Sequence, residues 1–243
     1  MGLTNRFYTP QGEIDQVLAN NTSGPSSPAI AHPYNLLYTW TDWTVLRYRG
    51  MELMAAFQSN FADTASPMVK WRAELTRLLS NTFTYGYFAS SRTGGDYHGG
   101  VTGTVPTYVT WLRTGSWSSK SSVDSAIYDG RTVASKMGGL GYMTIAYNTT
   151  TKYVGDCLTG VPTNSTLKLT ITFKPVESGT YTIKVWRNNK QTEVFTYTGS
   201  YTGGNTYTPC SNYSFTFPGG SSYYYLYISG PDYIYSSPIF IKN

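Results

Sequence analysis

The chain contains two histidines, and one of them lies in the stretch Ser90-Ser91-Arg92-Thr93-Gly94-Gly95-Asp96-Tyr97-His98-Gly99-Gly100. In extended backbone, Asp96 and His98 point to one face, roughly 6–7 Å apart at ~3.3 Å rise per residue. A carboxylate and an imidazole so placed could share one metal ion or hold two neighbouring ones. The same residues also make an ordinary polar turn. The other histidine, His32, follows the apolar run Pro28-Ala29-Ile30-Ala31 and precedes Pro33. The proline disfavours helical backbone at His32 and holds it extended. Strand ends are where sites form in α/β folds, so His32 reads either as a ligand or as a structural histidine. Two charged residues stand close to these motifs in sequence. Glu52 lies in the apolar setting Gly50-Met51-Glu52-Leu53-Met54-Ala55 and is costly to bury unpaired. It either faces a site or anchors a basic neighbour such as Arg47 or Arg49. Arg131 could bind an anionic substrate group or pair with an acid; we favour the pair.

Several elements would position these groups. Ile14, Val17 and Leu18 fall at helical spacing between Gln11 and Asn20. The run Pro28–Pro33 reads as a strand buried on both faces, as in parallel sheets, and Arg49–Ala55 as a second strand. Ser66-Pro67 opens the clearest helix, with serine as N-cap, a buried stripe of Met68, Trp71, Leu75, Leu78 and Leu79, and Asn81 as stop signal. It delivers the chain into a strand at Tyr85–Ala89, ahead of Asp96. Val105–Leu112 reads as a further strand, Ser122–Gly130 as a short helix closed by glycine, and Arg131–Lys136 as extended. From Gly155 onward, apolar residues alternate or cluster in six short runs from Leu167 to Ile241, separated by turn residues, which predicts an antiparallel β domain. Its Tyr/Thr faces could stack on sugars, and they are also ordinary in secreted sandwiches.

Charged residues make up only 13% of the chain, against roughly 25% in an average soluble domain, so the surface is polar but largely uncharged. The net charge of +5 is scattered without a basic run, which argues against a nucleic-acid partner. No run of 18 apolar residues occurs, so no helical membrane span is expected. Asn-x-Ser/Thr sequons at Asn20, Asn21, Asn148, Asn164 and Asn212, with two cysteines, point to an extracellular or cell-surface setting. Cys157 and Cys210 are either a disulfide or two unrelated thiols; a bond closing a loop of roughly fifty residues would add about 4 kcal/mol. Met1–Asn20 has neither the apolar core nor the basic start of a signal peptide. The expectation that reconciles this with the sequons is that Met1 is not the natural beginning.

The order of these signals resembles the C-terminal half of a metal-dependent hydrolase of the PHP (polymerase and histidinol phosphatase) superfamily, in its extracytoplasmic branch with a C-terminal sandwich. The matching residues are Ala29-Ile30-Ala31-His32-Pro33, Tyr48-Arg49-Gly50-Met51-Glu52-Leu53, the Trp71…Leu78-Leu79 helix, Asp96-Tyr97-His98, Ala126–Thr132 and Ser236–Ile241. The resemblance implies an α/β portion, a partial distorted (β/α) barrel over residues 1–152, followed by an all-β antiparallel sandwich over 153–243. It makes His32, Asp96 and His98 ligands of a divalent metal (zinc, manganese or iron) that would generate hydroxide and polarise a phosphoester. Glu52 and Arg131 would then serve in the second shell or at substrate. Such hydrolases open with a His-x-His pair, for which this chain has no histidines left. Either another chain supplies the missing half, or this is a non-catalytic filament, sheath or surface protein derived from the scaffold. Incomplete layers leave strand edges that need covering, so both readings imply another chain or self-association.

Overall fold

The computed structural model describes residues 10–19, 27–31, 42–55, 60–94 and 108–243. The first layer is α/β and comprises α1 (Pro10–Ala19), β1 (Ala29–Ile30), β2 (Gly50–Ala55), α2 (Ser66–Tyr85) and β3 (Ser90–Gly94). The three strands run parallel in the order β1-β2-β3, with α2 as the crossover between β2 and β3. Met51, Glu52, Leu53 and Met54 are all buried, so this strand is covered on both faces, as in parallel sheets, with Glu52 the one charge in the run. In α2, Met68, Trp71, Leu75 and Leu78 form the buried stripe and Leu79 lies at its margin.

Two details of this unit differ from the sequence reading. The N-cap of α2 is Ala65, whose side chain makes no capping bond; Ser66 already lies inside the helix. Nor does Asn81 stop it. The helix runs on to Tyr85 and closes at Gly86, whose φ of 72° is the left-handed conformation glycine adopts without Cβ strain. The strand expected over Tyr85–Ala89 is accordingly displaced to β3. Its polar residues can be buried because each finds a backbone partner: Ser90 Oγ donates to the Arg49 carbonyl (2.5 Å) and Ser91 Oγ to that of Tyr235 (3.0 Å).

The remaining elements are β4 (Val109–Leu112), α3 (Lys120–Tyr128), β5 (Thr132–Ser135), β6 (Leu140–Tyr147), β7 (Thr150–Tyr153), β8 (Cys157–Leu158), β9 (Thr166–Lys174), β10 (Gly179–Arg187), β11 (Thr192–Tyr201), β12 (Tyr207–Thr216), β13 (Ser221–Ser229), β14 (Tyr233–Ser236) and β15 (Ile239–Lys242). They build an eight-stranded sheet, β11-β10-β13-β14-β5-β4 with β15 and β8 attached beside β13, and a four-stranded sheet, β12-β9-β6-β7. Strand pairing crosses the division expected at residue 152: β4 and β5 join the first sheet and β6 and β7 the second, alongside strands from beyond that point. The chain is thus mostly β. Among the described residues the parallel sheet is open and three-stranded, and no barrel is formed.

The strand β13 explains the layering. Tyr224, Leu226 and Ile228 point into the space between the two sheets, where they meet Leu169, Ile171 and Phe173 of β9. Tyr223, Tyr225 and Tyr227 point the other way, toward α2. Trp71 lies edge-on to Tyr225 at 5.2 Å, and its Nε1 donates to the Ala89 carbonyl at 2.6 Å. Such a fully buried aromatic contributes roughly 2–3 kcal/mol by burial, and edge-to-face pairing about 1 kcal/mol more. A buried ion pair fastens the same seam. Arg72 donates to Asp63 Oδ1 (2.6 Å) and to the Asp63 carbonyl (2.7 Å), while the Lys190 ammonium lies 2.9 Å from Asp63 Oδ2 without the angle of a hydrogen bond.

Candidate functional site

The expected metal ligands His32, Asp96 and His98 all lie outside the described residues. Among the described residues no group of three or more His, Cys, Asp or Glu could hold a metal ion. Glu52 is buried at 6% exposure in β2, in register with Arg92 of β3. Its proposed anchors are engaged elsewhere. Arg47 pairs with Asp15 at 3.2 Å, and Arg49 stacks on the Tyr128 ring at 3.4 Å and donates to the carbonyls of Gly86 and Tyr128. Arg92 reaches Ser27, Arg49 and Ile127 through their oxygens, and burial lowers its pKa to about 10. Arg131 makes the expected acid pair, with Asp129 at 3.1 Å and Asp156 at 3.7 Å.

The disulfide does not form: Cys157 and Cys210 are free thiols. Their strands place them against different cores. Cys157, on β8, packs with the cluster around α2, whereas Cys210, on β12, belongs to the core between the sheets. Burial pushes the Cys157 thiol up to about 11, with Asp156 adding to the rise, and raises that of Cys210 as well. Both are therefore poor nucleophiles at neutral pH.

A concavity lies elsewhere, at the edge where β4 and β5 face the β6–β7 hairpin. It is an open cleft of about 380 Å³ whose lining includes Trp111, Trp117, Arg113, Tyr142, Tyr153 and Arg131. Each wall has an identifiable support. The Trp111 Nε1–H donates to the carbonyls of Gly138 (3.2 Å) and Gly139 (3.1 Å), which fixes the ring plane. Trp117 sits two residues before the Ser119 N-cap of α3, after a turn in which Thr114 Oγ1 accepts from the Ser116 amide and donates to its carbonyl. This large apolar ring is left 67% exposed, an uncommon state for tryptophan. Arg113 lies over the Tyr153 ring at 3.5 Å, so the guanidinium is held in place by a ring face. Among the described residues no carboxylate pairs with Arg113, while Arg131 is already neutralised by its two aspartates. Aromatic faces beside a cation that no described carboxylate pairs can hold a flat or ring-shaped molecule by stacking and orient it by an anionic substituent.

No family model matches the chain, and no curated protein matches it.

Of the cleft residues, only Arg131 stands out in the sequence by its chemistry. The missed signal is Trp111-Leu112-Arg113-Thr114-Gly115-Ser116-Trp117, in which two tryptophans flank an arginine and a glycine outside any amphipathic pattern. Aromatics that serve no periodic face are the ones available to a ligand.

Proposed function

We propose that this chain is an extracytoplasmic, non-catalytic β-rich binding protein whose cleft takes a saccharide unit carrying an acidic group. The observation that carries this reading is the exposed Trp117 ring, which lines the cleft with Trp111 and with Arg113, a cation that no carboxylate of the described residues pairs. The C–H face of a sugar ring stacks on an indole, and a carboxylate on that sugar meets the guanidinium. The sparse charge of the chain and its sequons fit an extracellular setting for such binding. Binding of uronic-acid oligosaccharides and of neutral glucans, measured side by side, tests it. The acidic set binds more tightly, and the margin narrows from 50 to 500 mM salt because Arg113 is exposed and screened. Equal binding of both sets, or of neither, contradicts the reading.

A second reading, a hydrolase portion of the PHP type, draws support from the parallel order β1-β2-β3, in which β1 and β3 end at the same edge of the sheet. His32 follows β1, and Asp96 and His98 follow β3, each by a few residues in sequence. Elemental analysis of the purified chain beside His98→Ala decides it: stoichiometric metal lost in the variant supports the hydrolase, and no metal in either removes it.

A further inference from the structure

A second cavity, of about 210 Å³, opens at the opposite edge of the sandwich, between the ends of β10, β11 and β13 on one sheet and β12 on the other. Its lining differs in character from that of the aromatic cleft. Tyr224 is fully buried, and among the described residues its hydroxyl finds no partner in good hydrogen-bonding geometry, Ser222 being the nearest influence on it; the Nε of Arg187, which pairs with Tyr224 across β10 and β13, is likewise buried and meets no partner among them. Both side chains border this one cavity. A phenol O–H and a guanidinium N–H left unsatisfied each cost of the order of 1–3 kcal/mol, so two of them on side chains that border one space favour an acceptor there. Thr192 and Thr216 also line it, one from each sheet, and Val194 and Phe215 supply apolar surface. The one acid at the rim, Glu193, is paired with Lys184 at 2.8 Å, so it does not oppose an incoming anion at full strength. Burial also raises the Tyr224 pKa to about 12, which keeps its hydroxyl a donor at neutral pH.

We propose that this cavity is a binding site for a small monocarboxylate, with its charged end on Arg187 and the Tyr224 hydroxyl and its short alkyl end against Val194 and Phe215. The volume exceeds the roughly 150 Å³ that holds a six-atom ring, so it admits a short-chain carboxylate with room for water, and an anion donates to neither group but accepts from both. The site is independent of the aromatic cleft, from which the sandwich core separates it.

Isothermal titration of the intact chain with propionate at constant ionic strength, with chloride as reference, tests the assignment. One equivalent is expected to bind in the millimolar range or tighter. Arg187→Gln and Tyr224→Phe should each weaken binding at least tenfold, while Trp117→Ala leaves it unchanged. Tyr224→Phe removes one oxygen from a packed ring and keeps the test valid if Arg187→Gln fails to fold. Absence of propionate heat in the wild type, or equal binding in the wild type and Tyr224→Phe, overturns the proposal. So does a crystal soaked in propionate that shows only water in the cavity.

Discussion

Removing Asp63 should unfasten the α/β layer from the sandwich. Its carboxylate is 5% exposed and takes 2.6 Å donation from Arg72, itself 4% exposed, with Lys190 at 2.9 Å on the other oxygen. Asp63→Ala leaves the Arg72 guanidinium buried without its carboxylate, with the residue-63 carbonyl and Asn189 Oδ1 (3.2 Å) as neutral acceptors among the described residues. An uncompensated buried charge of this kind costs about 3–5 kcal/mol. For a chain of 243 residues, each kcal/mol lowers Tm by roughly 2–4 °C, so a fall on the order of 10 °C is expected. Replacing both charges by apolar groups should recover most of the loss, because the penalty comes from the orphaned partner rather than from the missing attraction. Asp63→Ala/Arg72→Met is therefore predicted to melt above Asp63→Ala. Differential scanning calorimetry of the wild type, the two single variants and the double variant closes the cycle. A double variant that loses the full sum of the single losses would refute the reasoning, since the two residues would then stabilise the fold independently.

Other outcomes follow from the same structure. Titration with a thiol reagent should find two free thiols per chain once the protein is denatured and slow reaction before that, and added reductant should leave Tm unchanged; a reductant-sensitive Tm would restore the disulfide. Gly86→Ala meets no atom within 4 Å and should cost only the left-handed strain of about 1 kcal/mol, whereas at Gly130 (φ 65°) a Cβ would lie 2.5 Å from the Phe88 ring, so Gly130→Ala should cost clearly more in denaturant unfolding. Burial raises the Asp232 carboxyl above its unperturbed 3.8, outweighing the bonds from Ser135 and the amides of Gly139, Met137 and Tyr233 that lower it. The folded state thus binds its proton more tightly than the unfolded chain. The stability it contributes is complete below pH 3.8 and is lost as pH rises through the raised value. Asp232→Asn should flatten that part of the stability–pH profile, and an unchanged slope would count against it.

How legible the molecule was in its sequence varies by element and has physical reasons. β9 and β10 alternate apolar and polar residues because one face meets the core and the other meets water, and period-two patterning reports that directly. β13 carries no such alternation, since tyrosine serves both faces; only packing shows that Tyr224 faces β9 while Tyr223 and Tyr225 face α2. β3 was hidden because Ser90-Ser91-Arg92-Thr93-Gly94 contains no apolar residue to set a strand pattern, and what makes Ser90 and Ser91 tolerable inside are carbonyls of Arg49 and Tyr235, which are remote in sequence. The cysteines illustrate the same limit: residue type permits a bond, and only the placement of β8 and β12 against separate cores decides against it. In the cleft, Arg131 was foreseeable as an acid-paired arginine. The meeting of Trp111 and Arg113 with Tyr142 and Tyr153 depends on β4 and the β6–β7 hairpin belonging to different sheets, a long-range fact that no local pattern encodes.

The most direct test of the binding reading is calorimetric titration of the wild type, Trp117→Ala and Arg113→Gln with one uronic-acid oligosaccharide and its neutral counterpart. Trp117 is exposed, so its truncation should leave Tm within about 1 °C of the wild type. Loss of the stacking face should weaken both ligands at least tenfold, while Arg113→Gln should erase the preference for the acidic one and spare the neutral one. Undiminished binding in Trp117→Ala, or an acidic preference that survives Arg113→Gln, would contradict the account.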